Sequence, residues 1–293
     1  MDILIIGGSG QLGKTLYNSL KKNYETIAFS KSELSITNET KIKSVITHHA
    51  PKIVINCSAY TKVDLAEENS DIAFDVNFNG IKNLCSACKS IQSTLIHFST
   101  DYVYDGLKNE PYVETDSTHP INIYGASKLA GDEYIMEEMT NYFIFRVSGI
   151  FSEYGNNFVK TMMGLCSKND LKIINDQTMK PSSASFIRDF ININLNKRNF
   201  DASKSGLYNL ASMGPSITWH GFAKLIFHEM INQDLTNNIP KLHPISSAEY
   251  DGKVDRPKFS VLCNDKLAKE FIIPTDSYTD YLKLELKEIY KHL

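Results

Sequence analysis

The chain has 293 residues, 42% of them hydrophobic and 22% charged, with a formal net charge of −3. This is the balance of a folded globular protein with a sizeable core, and it excludes the basic patches that nucleic acid or an acidic membrane surface would need. No charged n-region with an apolar run and cleavage site opens the chain, and no stretch is long enough to span a bilayer, so a cytoplasmic location is expected.

"DILIIGG" opens as a short β-branched apolar run ending in glycine, the pattern of a buried parallel strand. "QLGKTLYNSLKK" follows with apolar residues at helical spacing. "ETIAFS" reads as a strand, "NETKIKSVITHH" as a helix, and "PKIVINCSA" as a strand entered through Pro51. A long helix is predicted over residues 71–90, then the strand "TLIHFST", the helix "YGASKLAGDEYIMEEM" and the strand "YFIFRVS". Strand and helix alternate, so an α/β fold with a doubly wound parallel sheet is expected.

Beyond residue 150 the rhythm loosens. "NNFVKTMMGLCSK" looks helical, "LKIIND" strand-like, and Pro181 with its serine cluster marks a loop. "GLYNLA" reads as a strand, "TWHGFAKLIFHEMI" as a helix capped by Thr218, and the tail "DYLKLELKEIYKHL" as an amphipathic helix docked on the body. The five cysteines are odd in number, and Cys85 and Cys88 form a C-x-x-C inside a helical pattern with no second ligand pair nearby. They read as buried thiols packing a helix, in keeping with a reducing compartment.

"GGSGQLG" directly after the first strand admits two parses: Gly8, Gly10 and Gly13 as G-x-G-x-x-G, or Gly7, Gly10 and Gly13 as G-x-x-G-x-x-G. Both give a tight turn opening a helix, whose free N–H groups and positive dipole end suit a pyrophosphate. An acidic residue at the end of the second strand would hold the 2′-hydroxyl of NADH. Ser30, Lys31 and Ser32 stand there instead, which suits a 2′-phosphate. NADPH is therefore the expected cofactor, with NADH also open, since Lys31 equally reads as a solvated surface lysine.

Tyr124 and Lys128 in "NIYGASKLAGDEY" stand four apart on a predicted helix and share one face. A phenol of ordinary pKa near 10 is a poor proton donor or acceptor, and an ammonium beside it is expected to lower that pKa. Thr100, at the end of the strand "TLIHFST", would donate a hydrogen bond to a substrate oxygen beyond the sheet's carboxyl edge. Hydroxyl, phenol and ammonium together suit carbonyl reduction.

The glycine turn, Thr100 and the Y-x-x-x-K pair together resemble the extended short-chain dehydrogenase/reductases, Rossmann proteins with a C-terminal substrate lobe. Within them, "CSAYTKVDLAEENSDIAFDVN", "FSTDYVYDG", "IYGASKLAGDE", "GNNFVKTM", "INDQTMKPSSA" and "RPKFSVL" occur in the order of the dTDP-4-dehydrorhamnose reductase family, so that the likeness runs to about residue 262. That resemblance implies an NAD(P)H-dependent oxidoreductase reducing the C4 ketone of a nucleotide-linked 6-deoxy-hexulose, in dTDP-rhamnose and polysaccharide biosynthesis. It implies a Rossmann domain over 1–150 and mainly a substrate-binding lobe over 151–293, with some segments returning to the first.

Carried over by position, Tyr124 is the expected proton donor, Lys128 its electrostatic and ribose-holding partner, and Thr100 the hydroxyl that polarises the ketone. Gly7, Gly10, Gln11, Leu12 and Gly13 would line the pyrophosphate, Ser30 and Lys31 the 2′-phosphate. Ala59, Tyr60 and Thr61 would flank the nicotinamide half. Asp101, Asn157, Gln177 and Arg256 are expected substrate contacts, and Asn77 structural or proton-relay support. A homodimer is expected of an enzyme this size.

The chain also departs from the family. Gly149 stands where a sugar-side tryptophan is usual, which removes packing area and opens space. The element "DQ-x-G-x-P-T" appears as "DQTMKPSS", with Met179 and Ser182 substituted. Some members hold magnesium between subunits through glutamates; Thr15 stands at the matching early position, so no metal is expected. A reductase of a different nucleotide-linked 4-keto sugar is the alternative function, and a non-catalytic NADP-binding regulatory subunit, like that of methionine adenosyltransferase, a second. Dehydration is disfavoured because Tyr102, not a carboxylate, follows Thr100 and Asp101.

Overall fold

Alternating side chains along short parallel strands decide the architecture. In the computed structural model, which describes residues 1–250, 252 and 254–291, β1 (Ile3–Ile6) pairs in parallel with both β2 (Thr26–Phe29) and β3 (Ile53–Asn56). β3 pairs with β4 (Thr94–Thr100), β4 with β5 (Tyr142–Val147), giving a sheet buried on both faces. Ile3 and Ile5 point to one face and Leu4 and Ile6 to the other, as the period-2 pleat requires.

The connecting helices divide accordingly. α1 (Gln11–Leu20) covers the first face with Leu12, Leu16 and Leu20. α2 (Glu39–His49) packs on the second face through Ile42 and Ile46. After the short α3 (Val63–Ala66), the expected helix over 71–90 is built in three parts: α4 (Ser70–Phe74), one π turn (Asp75–Asn79) and α5 (Gly80–Ile91). Cys85 and Cys88 are buried free thiols in α5, packed beside Leu84 and Ile81; burial pushes both thiols far up. α6 (Ile123–Glu138) completes that face, capped by Asn122, whose side chain accepts from Gly125 N–H.

The later chain crosses between two layers. β6 (Ile150–Phe151) leads to α7 (Phe158–Gly164), β7 (Asp170–Ile174), β8 (Thr178–Met179) and β9 (Ser182–Ser183). α8 (Ala184–Asn196) then lies beside α1, with Phe186 and Phe190 in the first core. β10 (Gly206–Asn209), the expected strand "GLYNLA", adds in parallel to β5, so the sheet has six strands in the order β10-β5-β4-β3-β1-β2.

A separate core collects Phe151, Met162, Met179, Phe222, Phe227 and Leu282. It lies among α7, β8, α9 (Trp219–Asn232, after β11, Ile217–Thr218) and α11 (Tyr278–Tyr290, after α10, Asp265–Glu270), with β7 pairing in parallel with β12 (Lys241–Ile245). Thr218 caps α9 as expected, accepting from Gly221 N–H at 3.0 Å. The tail helix α11 docks through Leu282, Leu286 and Ile289. Among the described residues, no helix is long and apolar enough to cross a membrane.

Candidate active site

The turn after β1 approaches its neighbours too closely for side chains. Gly7 has φ +80°, and a Cβ there would come within 2.7 Å of Ser58 N; one on Gly13 would collide with the Gly7 carbonyl oxygen. This bare backbone at the start of α1 forms a cradle that a diphosphate fits. The α1 N-cap, Gly10, makes no side-chain capping bond.

Two cavities meet at this turn. One, of 410 Å³, is lined by Gly10, Gln11, Leu12, Ala59 and Thr61 on one side and by Thr100, Asp101, Tyr124 and Lys128 on the other. A smaller one, of 190 Å³, is lined by Gly7, Gly10, Lys31, Ala59 and Tyr60. Gly13 stays behind the turn, packed on Gly7. Ser30 faces away from both: its N–H and hydroxyl donate to Glu33 Oε2 at 2.8 and 2.6 Å. The segment at Ala59–Thr61 is held by Asn77, which accepts from Tyr60 N–H at 2.8 Å and donates to Tyr60 O and Ser127 Oγ. Asn77 thus supports the wall of the site.

Lys128 does not face Tyr124. Its Nζ lies 2.8 Å from Phe98 O and 3.0 Å from His97 Nε2. Burial lowers the proton affinity of Lys128 to a pKa of about 8, opposed by the charge of Asp132. Tyr124 is pushed up to about 12 by burial, against a hydrogen bond with Thr100 that lowers it. The expected lowering of the phenol by an adjacent ammonium is therefore not found, because desolvation outweighs it and the ammonium is turned toward β4. The phenol stays protonated at neutral pH, which suits a proton donor.

Thr100 and Asp101 are also engaged in the resting arrangement. The Thr100 hydroxyl donates to Asp101 Oδ1 at 3.2 Å, and the Ser148 hydroxyl donates to Oδ2 at 2.6 Å. Asp101 is buried, and desolvation raises its pKa although Ser148, Ser260 and Thr100 all bond to it.

The expected substrate contacts separate into two groups. Gln177 lines the large cavity and also a neighbouring one of 360 Å³, in which it is joined by Arg256, Tyr102, Trp219, Phe158 and Tyr250. Arg256 is anchored to Asp64 at 2.7 Å. Asn157 lines none of the three cavities. Its Oδ1 caps α7 by accepting from Lys160 N–H at 3.1 Å, and its Nδ2 donates to Ser152 O at 2.8 Å. In this arrangement its amide caps α7.

The two departures from the family pattern meet in space. Met179 Sδ lies 3.4 Å from where a Gly149 Cβ would be, and both residues line the large cavity. Thr15 Oγ1 donates to Gln11 O at 2.8 Å.

Several site residues were not anticipated. His97, buried at the centre of β4, and Asn56 at the end of β3 lie beneath Lys128. Asp132 and Arg146 form a buried pair at 3.6 Å one turn further along α6. The signal for His97 was a histidine inside the otherwise apolar strand "TLIHFST". Trp219 enters the site from the first residue of α9, its ring 4.7 Å from that of Phe158.

Comparison with known proteins agrees with this geometry. The family model for the RmlD substrate binding domain matches residues 1–291. A dTDP-4-dehydrorhamnose reductase of Aggregatibacter actinomycetemcomitans is 37% identical over 286 residues, 96% of this chain and 97% of that one. A Bacillus anthracis dTDP-4-dehydrorhamnose reductase solved in complex with NADP is 34% identical, with TM-score 0.89, covering 98% of this chain and 100% of that chain. A Clostridium acetobutylicum structure described as a dTDP-4-dehydrorhamnose reductase is 33% identical, with TM-score 0.90, covering 98% of this chain and 99% of that chain. The chain belongs to the dTDP-4-dehydrorhamnose reductase family.

Proposed function

We propose that this chain reduces the C4 ketone of dTDP-4-dehydro-L-rhamnose to dTDP-L-rhamnose with NADPH. The observation that carries the reading is the convergence of Thr100, Tyr124 and Lys128 on one cavity whose opposite wall is the glycine turn. NADPH, when bound, supplies the hydride. The backbone of Gly7, Gly10, Gln11 and Leu12 would hold its diphosphate, and Lys31 the 2′-phosphate.

The chain's own residues do the rest. Thr100 turns its hydroxyl from Asp101 toward the ketone oxygen and polarises it. Tyr124 gives that oxygen a proton as negative charge develops. Gln177 and Arg256 would contact the nucleotide-sugar from the neighbouring cavity. Met179 and Trp219 form an apolar wall suited to the face of a deoxy sugar. A cofactor part over 1–150 and a mainly substrate part over 151–293, with α8 and β10 returning to the first, a homodimer and a cytoplasmic location belong to the same reading; light scattering tests the dimer.

The test is NADPH oxidation, followed by absorbance, with dTDP-4-keto-6-deoxyglucose and a 3,5-epimerase. Rapid oxidation that needs both supports the reading. NADPH binding without oxidation of any keto sugar refutes it.

A further inference from the structure

Beneath Lys128, the hydrogen-bond donors fix where one proton sits. Ser58 N–H and the Ser58 hydroxyl both point at Asn56 Oδ1, at 3.0 and 2.6 Å. A backbone N–H only donates, so that atom is the amide oxygen, and Asn56 Nδ2 is the atom 3.0 Å from His97 Nδ1. Nδ2 also only donates. His97 Nδ1 is therefore bare. Burial, the larger cause, holds His97 well below its usual range, so the ring is neutral and its single proton is on Nε2.

That N–H points at Lys128 Nζ, 3.0 Å away, with Asp132 Oδ1 further off at 3.7 Å. An ammonium has donors only, and two donors cannot share one hydrogen bond. A neutral amine can accept from Nε2–H while still donating to Phe98 O. The charge balance agrees. Arg146 and Asp132 already form a buried pair, and a cationic Lys128 would be a second buried cation on that one carboxylate. Asp132 Oδ1 has no hydrogen-bond partner.

We propose that His97 is a positioning residue that favours the amine form of Lys128 in the cofactor-free protein, and that this amine fraction takes a proton from solvent when a dinucleotide ribose reaches it. Ribose hydroxyl oxygens give the ammonium acceptors, and the His97 N–H turns to the vacant Asp132 Oδ1. The loading step rests only on the dinucleotide assignment. The return step rests on the reductase reading: the alkoxide takes the Tyr124 proton, the phenolate is reprotonated at the net expense of the Lys128 ammonium, and the amine is restored. One proton is consumed per ketone reduced, and it enters at Lys128.

The ionisable groups around Lys128 come from every element packed on it. Tyr124 and Asp132 share its helix, His97 comes from β4, Asp101 from the residue after β4, Arg146 from β5 and the Cys57 thiol from the end of β3. Tyr124 and Cys57 are both held protonated by burial. Burial also raises both carboxyls, Asp101 and Asp132. Lys128, lowered by burial to about 8, changes state between neutral and mildly alkaline pH.

Calorimetric titration of NADPH into the full chain at pH 8, in two buffers of different ionisation heat, counts the protons. Net uptake of roughly half a proton per site is expected, and no uptake overturns the proposal. In His97→Gln the side-chain carbonyl accepts from the ammonium in both states. Uptake should then vanish, and the alkaline limb of kcat/KM should move up by about one pH unit. A limb that stays in place overturns the proposal, since a merely structural role lowers activity without shifting it. Nitrogen NMR of the unliganded wild-type chain reads the tautomer independently of any variant's folding: a proton on His97 Nδ1 overturns the proposal. Neither calorimetry nor NMR requires turnover of a sugar, so both stand or fall apart from the reductase reading.

Discussion

The cofactor side and the substrate side of the site are built by opposite means. On the cofactor side, consecutive segments make consecutive elements: β1, the glycine turn and α1 follow one another within residues 3–20. The substrate side gathers distant pieces, with Tyr102, Trp219 and Arg256 around one cavity and Arg256 tied to Asp64 across 192 residues. The first side is rigid because its backbone leaves no room for anything else. The second is held by individual side-chain contacts, each replaceable. Specificity for the sugar can therefore change by single substitutions while dinucleotide binding does not.

The sharpest way to separate the two sides is Tyr124→Phe, which removes the proposed proton donor and leaves the cradle intact. Turnover should fall by about 10²–10⁴-fold, with NADPH affinity nearly unchanged by fluorescence titration. Gly13→Ala should break the cofactor side instead, because the new Cβ meets fixed backbone at Gly7. A stability loss of about 1–3 kcal/mol in denaturant melts is expected, together with weakened NADPH binding. Lys31→Ala should raise the KM for NADPH by roughly tenfold, the equivalent of one charge-assisted contact, and leave that for NADH unaltered. An equal rise for both cofactors would remove Lys31 from the 2′-phosphate site. The smallest effect belongs to Thr218→Ala, which deletes the α9 cap. It should lower stability by about 1 kcal/mol and shift the KM for sugar slightly through Trp219, with no change in NADPH affinity.

The same contrast explains what could be read before the fold was known. Glycine spacing, strand periodicity and the Tyr124–Lys128 interval are local signals, and they pointed to the bare turn after β1 and to two residues that line the large cavity. Trp219 and Met179 reach the site only through the docking of α9 and β8, which no local pattern encodes. The Asn157 amide serves as a cap, a use that the sequence does not distinguish from a ligand contact. The direction in which Lys128 points depends on the registers of β3 and β4, which place Asn56 opposite His97. Y-x-x-x-K spacing puts the two side chains on one helix face but says nothing of what the neighbouring strand offers the ammonium.

The π turn at Asp75–Asn79 lets this contrast persist through sequence change. A π turn is a single-residue insertion absorbed within a helix, and here it carries Asn77, whose amide bridges Tyr60 and Ser127. Each α-helical residue advances the direction of its side chains by about 100°. Shortening the segment by one residue would restore ordinary helix and swing everything before the turn out of phase with everything after it. α5 would keep its grip on the sheet, and the wall at Ala59–Thr61 would lose the amide that closes it. The extra residue thus works as a phase adjuster, letting one continuous rod serve the hydrophobic core at one end and a polar site at the other.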